Sequence, residues 1–326
     1  MGAVIAGTGI GLAGRVVTNE ELESDLDLPA GAILRRTGIT ARRWVLEHEA
    51  ASDLAATAAR GALQAAGRSP SDVDLMLVAT TSGDMGFAST ACLLQRDMKV
   101  PGCPSVDLAA SCTGFLYGLS IAQAFLRTGQ ARTVLLAATE VKSRFIDRRD
   151  PASAILFGDG AGAVIVTAGP GDRGVLDVAL HADGARWPLI HLPAGGSREP
   201  LSESSLAANH HAMRLDGSAV FRTAVRTIEH AVRDQAARFD LSLDQIDHFI
   251  FHQANLRILK QVQRRLGLPA EKVPVTIGRY GNTSSSALPI ALHHAVADGR
   301  IKSGEWVLLA AFGGGITWGT ALIRWP

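Results

Sequence analysis

The chain has 326 residues, 47 % hydrophobic and 19 % charged, enough apolar material for a large core and too little charge for a disordered chain. A formal net charge of +1 removes the electrostatic case for a nucleic-acid or anionic-membrane partner. Cys92, Cys103 and Cys112 form no CxxC pair and follow no secretory h-region, which argues against a disulfide scaffold or zinc ribbon and for a reducing cytoplasm; no apolar run approaches the ~18 residues needed for membrane insertion.

Met1–Leu12 opens with a strand, AVIAG, and a glycine-rich turn. Gly9, Gly11 and Gly14 match GxGxxG, but dinucleotide binding also needs an apolar helix directly afterwards and an acidic residue closing the next strand. The polar run from Arg15 to Glu21 follows instead, so a plain turn is the better reading. Arg35, Arg36, Arg42 and Arg43 form a basic cluster, either a solvated loop or a docking point for a phosphate-bearing ligand. Ser52–Ala66 reads as an Ala-rich helix capped near Ser52, and Val73–Thr80 as a buried strand. Ala88–Lys99 reads as a helix with Cys92 in its apolar pattern, hence in the core.

Val106–Ala110 reads as a short buried strand, and Gly114–Leu126 as a helix, apolar all round, closed by Gly129. Cys112 sits on the corner between them, facing helix N–H groups that lack partners within the helix. That position lowers a thiol pKa from its free value of about 8.5. The small neighbours Ala109, Ala110, Ser111, Thr113 and Gly114 leave room for a substrate; an inert buried cysteine is the competing reading. Thr133–Thr139 is a buried strand, and Ile155–Val166 reads as strand, Gly-rich turn and strand around Asp159. Gly169–Gly174 is the candidate junction. His181–Asp216 is a long loop rich in Gly, Pro, Ser and His, the kind that often serves as a substrate lid. Asp216–Phe239 is a long amphipathic helix.

The second half repeats the first. Ile246–Phe251 parallels Val73–Val78, Trp306–Ala311 parallels Thr133–Ala138, and the spacing from Leu75 to Val134 nearly equals that from Phe249 to Val307. Strands alternating with helices imply parallel βαβ units covered on both faces. Two such halves, residues 1–170 and 171–326, stack as an α/β five-layer α-β-α-β-α sandwich. His252, in FHQAN, ends a strand; Asn282, in GNTSSS, lies between the strand-like VPVTI and the apolar helix ALPIALHHAV. Cys112, His252 and Asn282 thus occupy equivalent strand-to-helix corners, where ligand groups of parallel sheets collect. Singly, His252 also reads as a core histidine and Asn282 as a helix cap. His210-His211 and His293-His294 are adjacent pairs that share no helix face, and no Cys or carboxylate completes a ligand set, so no metal site is expected.

The runs DLAASCTGF, ILFGDGAGAVIV, FHQANLRIL, RYGNTSSSALPIAL and AFGGGITWGTALIRW resemble β-ketoacyl-acyl-carrier-protein synthase III, of the thiolase superfamily, over almost the whole chain. The resemblance implies a thiolase-like fold and a decarboxylative Claisen condensation that initiates fatty-acid or related acyl-chain synthesis. Cys112 would take an acyl group from acyl-coenzyme A or an acylated carrier protein. Malonyl-acyl-carrier protein would then lose carbon dioxide, and its carbanion would attack the acyl-Cys112 carbonyl. The thioesters are substrates, and no cofactor is implied. His252 and Asn282 would be neutral donors to the enolate oxygen, where Asp or Glu would repel the developing charge. The backbone N–H groups of Cys112 and Gly314 would form a second oxyanion hole.

The same resemblance assigns Arg36, Phe87, Leu156, Phe157 and Leu189 to substrate binding. Leu156, Phe157 and Leu189 would line an acyl channel, and Phe87 would enter the neighbouring subunit's pocket in a homodimer. Arg222, Arg257, Arg264 and Arg265 match positions that dock the acidic acyl carrier protein; a solvated helix face is the competing reading. Two positions depart from the family pattern: Ala32 stands where a Trp is usual, and Pro151 where an Arg is usual. Those residues clamp the adenine of coenzyme A, so Trp44 or Arg149 would have to hold such a starter, or the starter is longer or carrier-bound. Two other reactions compete: a Cys-His-Asn hydrolase, with the same chain order but no CGxC[WY] context, and same-fold acyl transfer without carbon–carbon bond formation.

Overall fold

Alternate glycines decide where the first strand packs. In the computed structural model, which describes residues 2–326, β1 (Gly2–Leu12) runs straight through the GxG sequence. Gly7, Gly9 and Gly11 turn the same face to α3 (Ala51–Ala66). A Cβ on each would lie 2.3, 2.3 and 2.0 Å from the carbonyl oxygens of Ala62, Ala58 and Leu54. The motif is a contact surface between strand and helix. Gly9→Val is expected to destabilise the fold by about 3 kcal/mol, the upper end of ordinary overpacking, as read by urea unfolding; an unchanged midpoint would contradict this packing.

A side hairpin follows, β2 (Arg15–Thr18) with β3 (Ala41–Trp44), enclosing α1 (Asn19–Asp25) and α2 (Ala32–Thr37). The first half continues with β4 (Leu75–Ala79), α4 (Thr90–Met98), β5 (Ser105–Leu108), α5 (Gly114–Arg127), β6 (Thr133–Glu140), α6 (Pro151–Ala154) and β7 (Gly160–Gly169). Then come β8 (Gly174–Ala182), β9 (Ile190–His191), α7 (Glu203–Ala207), β10 (Arg214–Leu215) and α8 (Gly217–Ala237). The chain ends with β11 (His248–Phe251), α9 (Leu256–Leu266), α10 (Ile277–Tyr280), α11 (Ala287–Ala297), β12 (Trp306–Gly313) and β13 (Thr317–Arg324).

The strands run β5-β4-β6-β7-β1 in one half and β8-β13-β12-β11 in the other, joined through the single pairing of Ala3 with Val175. Helices α3 and α4 cover the outer face of the first sheet, and α8 and α9 that of the second. Between the sheets lie α5 and α11, whose Leu116, Leu119, Leu288 and Leu292 join both sheets in one core. This is the five-layer sandwich. The repeat is sharper than the sequence suggested: Leu75 pairs with Val134, and Phe249 pairs with Leu308 rather than Val307, so the two spacings are identical. No helix is long and apolar enough to cross a membrane among the described residues.

The helix α3 is capped near Ser52, at Ala50, whose N–H donates to Asp53 at 2.9 Å, while Ser52 itself turns to Asp84. Several other local expectations fail. Cys92 is exposed, on the outer side of α4. The strand at Val106 is not buried: β5 is the sheet edge and Val106 is 47 % exposed. Ile155–Phe157 forms no strand, because α6 ends directly before it. VPVTI is not a strand either. Gln253, itself buried, accepts from the N–H groups of Thr276 and Ile277 at 3.0 and 3.1 Å, taking the place of ladder pairing. The second sheet therefore lacks a counterpart of β5. The loop from His181 to Asp216 is partly ordered into α7 and the small β9–β10 pair.

Candidate active site

The segments carrying Cys112, His252 and Asn282 meet in one cavity of about 450 Å³, with a mostly apolar wall. Cys112 lies in a 3-10 turn (Ser111–Thr113) that leads into α5. His252 follows β11, with its N–H on the carbonyl of Ala310 at 2.9 Å. Its ring Nδ1 is buried and has no hydrogen-bond partner among the described residues.

Asn282 is held by its own backbone: its N–H donates to Leu156 O at 2.8 Å, and its carbonyl accepts from Gly158 N at 3.1 Å. That bridge requires glycine on both sides. Gly281 has φ +66° and Gly158 passes close to the 280–281 peptide; a Cβ on Gly158 would lie 2.1 Å from Tyr280 O. The motifs GDG and YGN therefore fit each other. Asn282 Oδ1 accepts from Ser284 N at 2.9 Å, which leaves the carboxamide NH₂ as a donor on the cavity wall.

Ser111, Ser284 and Ile316 all sit at positive φ (49°, 54° and 48°) around this centre. Such backbone costs about 1–3 kcal/mol per residue and collects at functional sites. Gly313 backs directly onto Cys112, and Gly314 lies beside Ser111 on the cavity wall.

Burial alone would push the Cys112 thiol up; neighbouring His252, Ser284 and Lys142 outweigh it and bring the thiol down to about 7. The sequence reading rested on the helix terminus, but these side chains supply the electrostatics. A thiol of this kind is a nucleophile near neutrality. Alkylation of Cys112 is expected to rise through pH 7 and level off about one to two units above. Intact mass after timed iodoacetamide pulses reads it, and a midpoint at 9 would contradict the arrangement.

The other expected residues divide. Leu156 and Phe157 line the cavity; Leu189 does not. It ends a 3-10 turn and packs into the α8–β13 core, and Ile190 takes its place on the wall. Phe87 is 90 % exposed, on the loop before α4, and does not line the Cys112 cavity of its own chain. Arg36 is exposed, and its carbonyl lies 3.5 Å from the Asn255 side chain at the start of α9. Arg42 cannot meet a ligand: it is fully buried, donating to Asn19 Oδ1 and Ile155 O at 2.9 and 3.0 Å. Trp44 cannot hold an adenine, since it is 2 % exposed and its Nε1 donates to Phe157 O at 3.0 Å. Arg149 is tied to Asp147 at 3.3 Å.

Arg222 lies on α8 and hydrogen-bonds Ser218, and Arg257 covers the ring of Phe221, a cavity residue. Arg264 bonds Gln261, and Arg265 is paired with Glu229 of α8. Sequence reasoning missed Lys142, on the cavity wall, and Glu140 behind it, and gave Ser284 of the GNTSSS run, also on the wall, no role of its own. Charged residues ending a buried strand on the ligand side of a parallel sheet were the available signal. Among the described residues, no group of three or more His, Cys, Asp or Glu is arranged to hold a metal ion.

Two family models match, "3-Oxoacyl-[acyl-carrier-protein (ACP)] synthase III" over residues 106–184 and its C-terminal part over residues 236–325. A β-ketoacyl-[acyl-carrier-protein] synthase III of Thioalkalivibrio sulfidiphilus is 42 % identical, over 99 % of both chains. Among solved structures, 3-oxoacyl-[acyl-carrier-protein] synthase III from Aquifex aeolicus superposes with a TM-score of 0.92 at 38 % identity, covering 99 % of this chain and 100 % of that one. The priming β-ketosynthase of the R1128 polyketide pathway gives 0.91 at 31 %, covering 99 % and 96 %. The hydrolase reading falls with this match, and the chain belongs to the β-ketoacyl-[acyl-carrier-protein] synthase III family of acyltransferases, the condensing enzymes of thiolase-like fold.

Proposed function

We propose that Cys112 carries the acyl group in a decarboxylative Claisen condensation whose extender arrives as malonyl-acyl-carrier protein. The observation that carries this reading is the convergence of a lowered thiol, an imidazole and an outward-facing carboxamide NH₂ on one apolar cavity. The Cys112 thiolate attacks the starter thioester, and the donor thiol leaves. The malonyl carboxylate departs as carbon dioxide, and the bond's electron pair becomes an enolate. His252 and Asn282 donate to the enolate oxygen. The enolate carbon attacks the acyl-Cys112 carbonyl, whose oxyanion meets the N–H groups of Cys112 and Gly314, and the thiolate is expelled. No step requires a cofactor.

The exposed arginines on α8 and α9 support docking of the acidic carrier protein, with Arg222, Arg257 and Arg264 contributing more than the paired Arg265. Exposed Phe87 and the open edge at β5 favour a homodimer. Sedimentation equilibrium is expected to give twice the chain mass; a monomer at micromolar concentration would count against the pairing. Three free cysteines fit a cytoplasmic enzyme. The deciding experiment is intact mass with acyl donors of graded length, as coenzyme A and as carrier-protein thioesters. The expected result is one acyl adduct on Cys112, cleared by malonyl carrier protein with release of a 3-oxoacyl thioester. No adduct with any donor would overturn the reading, and an adduct that never triggers decarboxylation would favour simple acyl transfer.

A further inference from the structure

A buried charged cluster lies behind the Cys112 thiol, and none of its groups makes or breaks a bond in the condensation. Glu140, the last residue of β6, is fully buried, and Lys142 is 7 % exposed. Lys142 Nζ stands 3.0 Å from Glu140 Oε2 and donates to Thr81 Oγ1 at 2.6 Å. Glu140 also accepts from Thr81 N at 3.2 Å, from the Ser82 hydroxyl, and from Ser284 Oγ at 3.0 Å. Ser284 Oγ is in turn 3.6 Å from Cys112 Sγ. A continuous polar path therefore runs from the Lys142 ammonium through Glu140 and Ser284 to the sulfur.

The charges along that path matter because Glu140 and Lys142 are both buried. A carboxylate one hydroxyl away from a thiol opposes a second negative charge there, and burial leaves the repulsion poorly screened. A cation on the carboxylate's other side cancels it. Ser284 has one hydroxyl proton, so it serves either Glu140 or a thiolate.

We propose that Lys142 is a positioning residue which neutralises Glu140 and so permits Cys112 to ionise, with Ser284 transmitting the coupling by turning its O–H from Glu140 to the sulfur. Only the S–H bond of Cys112 breaks in this step: its proton leaves to solvent and the electron pair stays on the sulfur. The titratable groups near the sulfur are His252, after β11, and Lys142, after β6; Glu140 stands behind Ser284, and His191 is the remaining titratable group on the cavity wall. In keeping with the geometry, burial pushes Glu140 up, but Lys142 and Ser82 hold its carboxyl below the usual range. The proposal rests on Cys112 being the reactive thiol, and its test is independent of acyl transfer.

The test is the pH profile of Cys112 alkylation by iodoacetamide. It is read by intact mass in a Cys92→Ser/Cys103→Ser background, because neither of those thiols is fully buried. Lys142→Met is expected to raise the midpoint by about one unit, which slows alkylation at pH 7 by up to about tenfold. Lys142→Arg keeps the charge and should keep the midpoint. Lys142→Met/Glu140→Gln removes both charges and should return the midpoint to within about half a unit of the parent. An unchanged midpoint in folded Lys142→Met would overturn the proposal. So would a raised midpoint that the double variant fails to correct, since a merely structural role predicts no such rescue. Should Lys142→Met not fold, Ser284→Ala decides: a raised midpoint supports the relay and an unmoved one ends it. If these shifts occur but the parent never takes up an acyl group, the proposed condensation fails while this coupling stands.

Discussion

Cys112→Ala is expected to remove acyl uptake altogether and to leave the fold intact. The side chain is small, and its loss opens space onto an existing cavity rather than a hole in a packed core. Condensation should fall by several orders of magnitude; removing the nucleophile of a serine protease costs about 10⁶ in rate. Electrospray mass after incubation with an acyl thioester reads the first effect, and thermal unfolding reads the second. An acyl adduct persisting in Cys112→Ala would move the nucleophile to Cys92, Cys103 or a hydroxyl and dismantle the assignment. Decarboxylation of malonyl carrier protein should survive better than condensation, because His252 and Asn282 remain in place. A measurable release of carbon dioxide without product would separate the two half-reactions.

The next largest effects belong to the two donors. Asn282→Ala should lower decarboxylation and condensation by about 10²–10³, the usual loss for one oxyanion donor, while acylation of Cys112 stays within about tenfold of the parent. His252→Ala should lose a similar factor in condensation and, unlike Asn282→Ala, should also shift acylation to higher pH. The reason is that burial pushes the thiol up and His252 is a principal group opposing it. Near pH 7 the His252 variant therefore acylates slowly; at pH 9 its acylation recovers while its condensation does not. Single-turnover acylation and carbon dioxide release across that range distinguish the variants. Equal loss of both steps by His252→Ala at pH 9 would contradict an enolate-binding role.

Periodicity and spacing made the sandwich legible, since each buried strand is a short apolar run bounded by turn residues. The equal offsets of Leu75 from Val134 and Phe249 from Leu308 recur because both halves use the same parallel pairing. Cys112, His252 and Asn282 were legible because each stands at a break between apolar runs. The errors share one cause: local pattern reports a residue's periodicity but not which element covers it. Cys92 fits the apolar stripe of α4 yet faces out, and Trp44 looks free for a ligand yet is walled in by Phe157 and the guanidinium groups of Arg15 and Arg148. VPVTI has strand composition, but Gln253 takes the N–H groups a neighbouring strand would have used.

The amino-acid sequence alone determined the α/β layers, the internal twofold and the three side chains that meet in the cavity, because these depend on residue type and on spacing along the chain. Only the tertiary structure decided what surrounds the sulfur. Glu140 and Ser284 are 144 positions apart, and their contact exists only once β6 and the turn before α11 pack together. Electrostatic coupling depends on distance through space and on burial, and neither is a property of neighbouring letters.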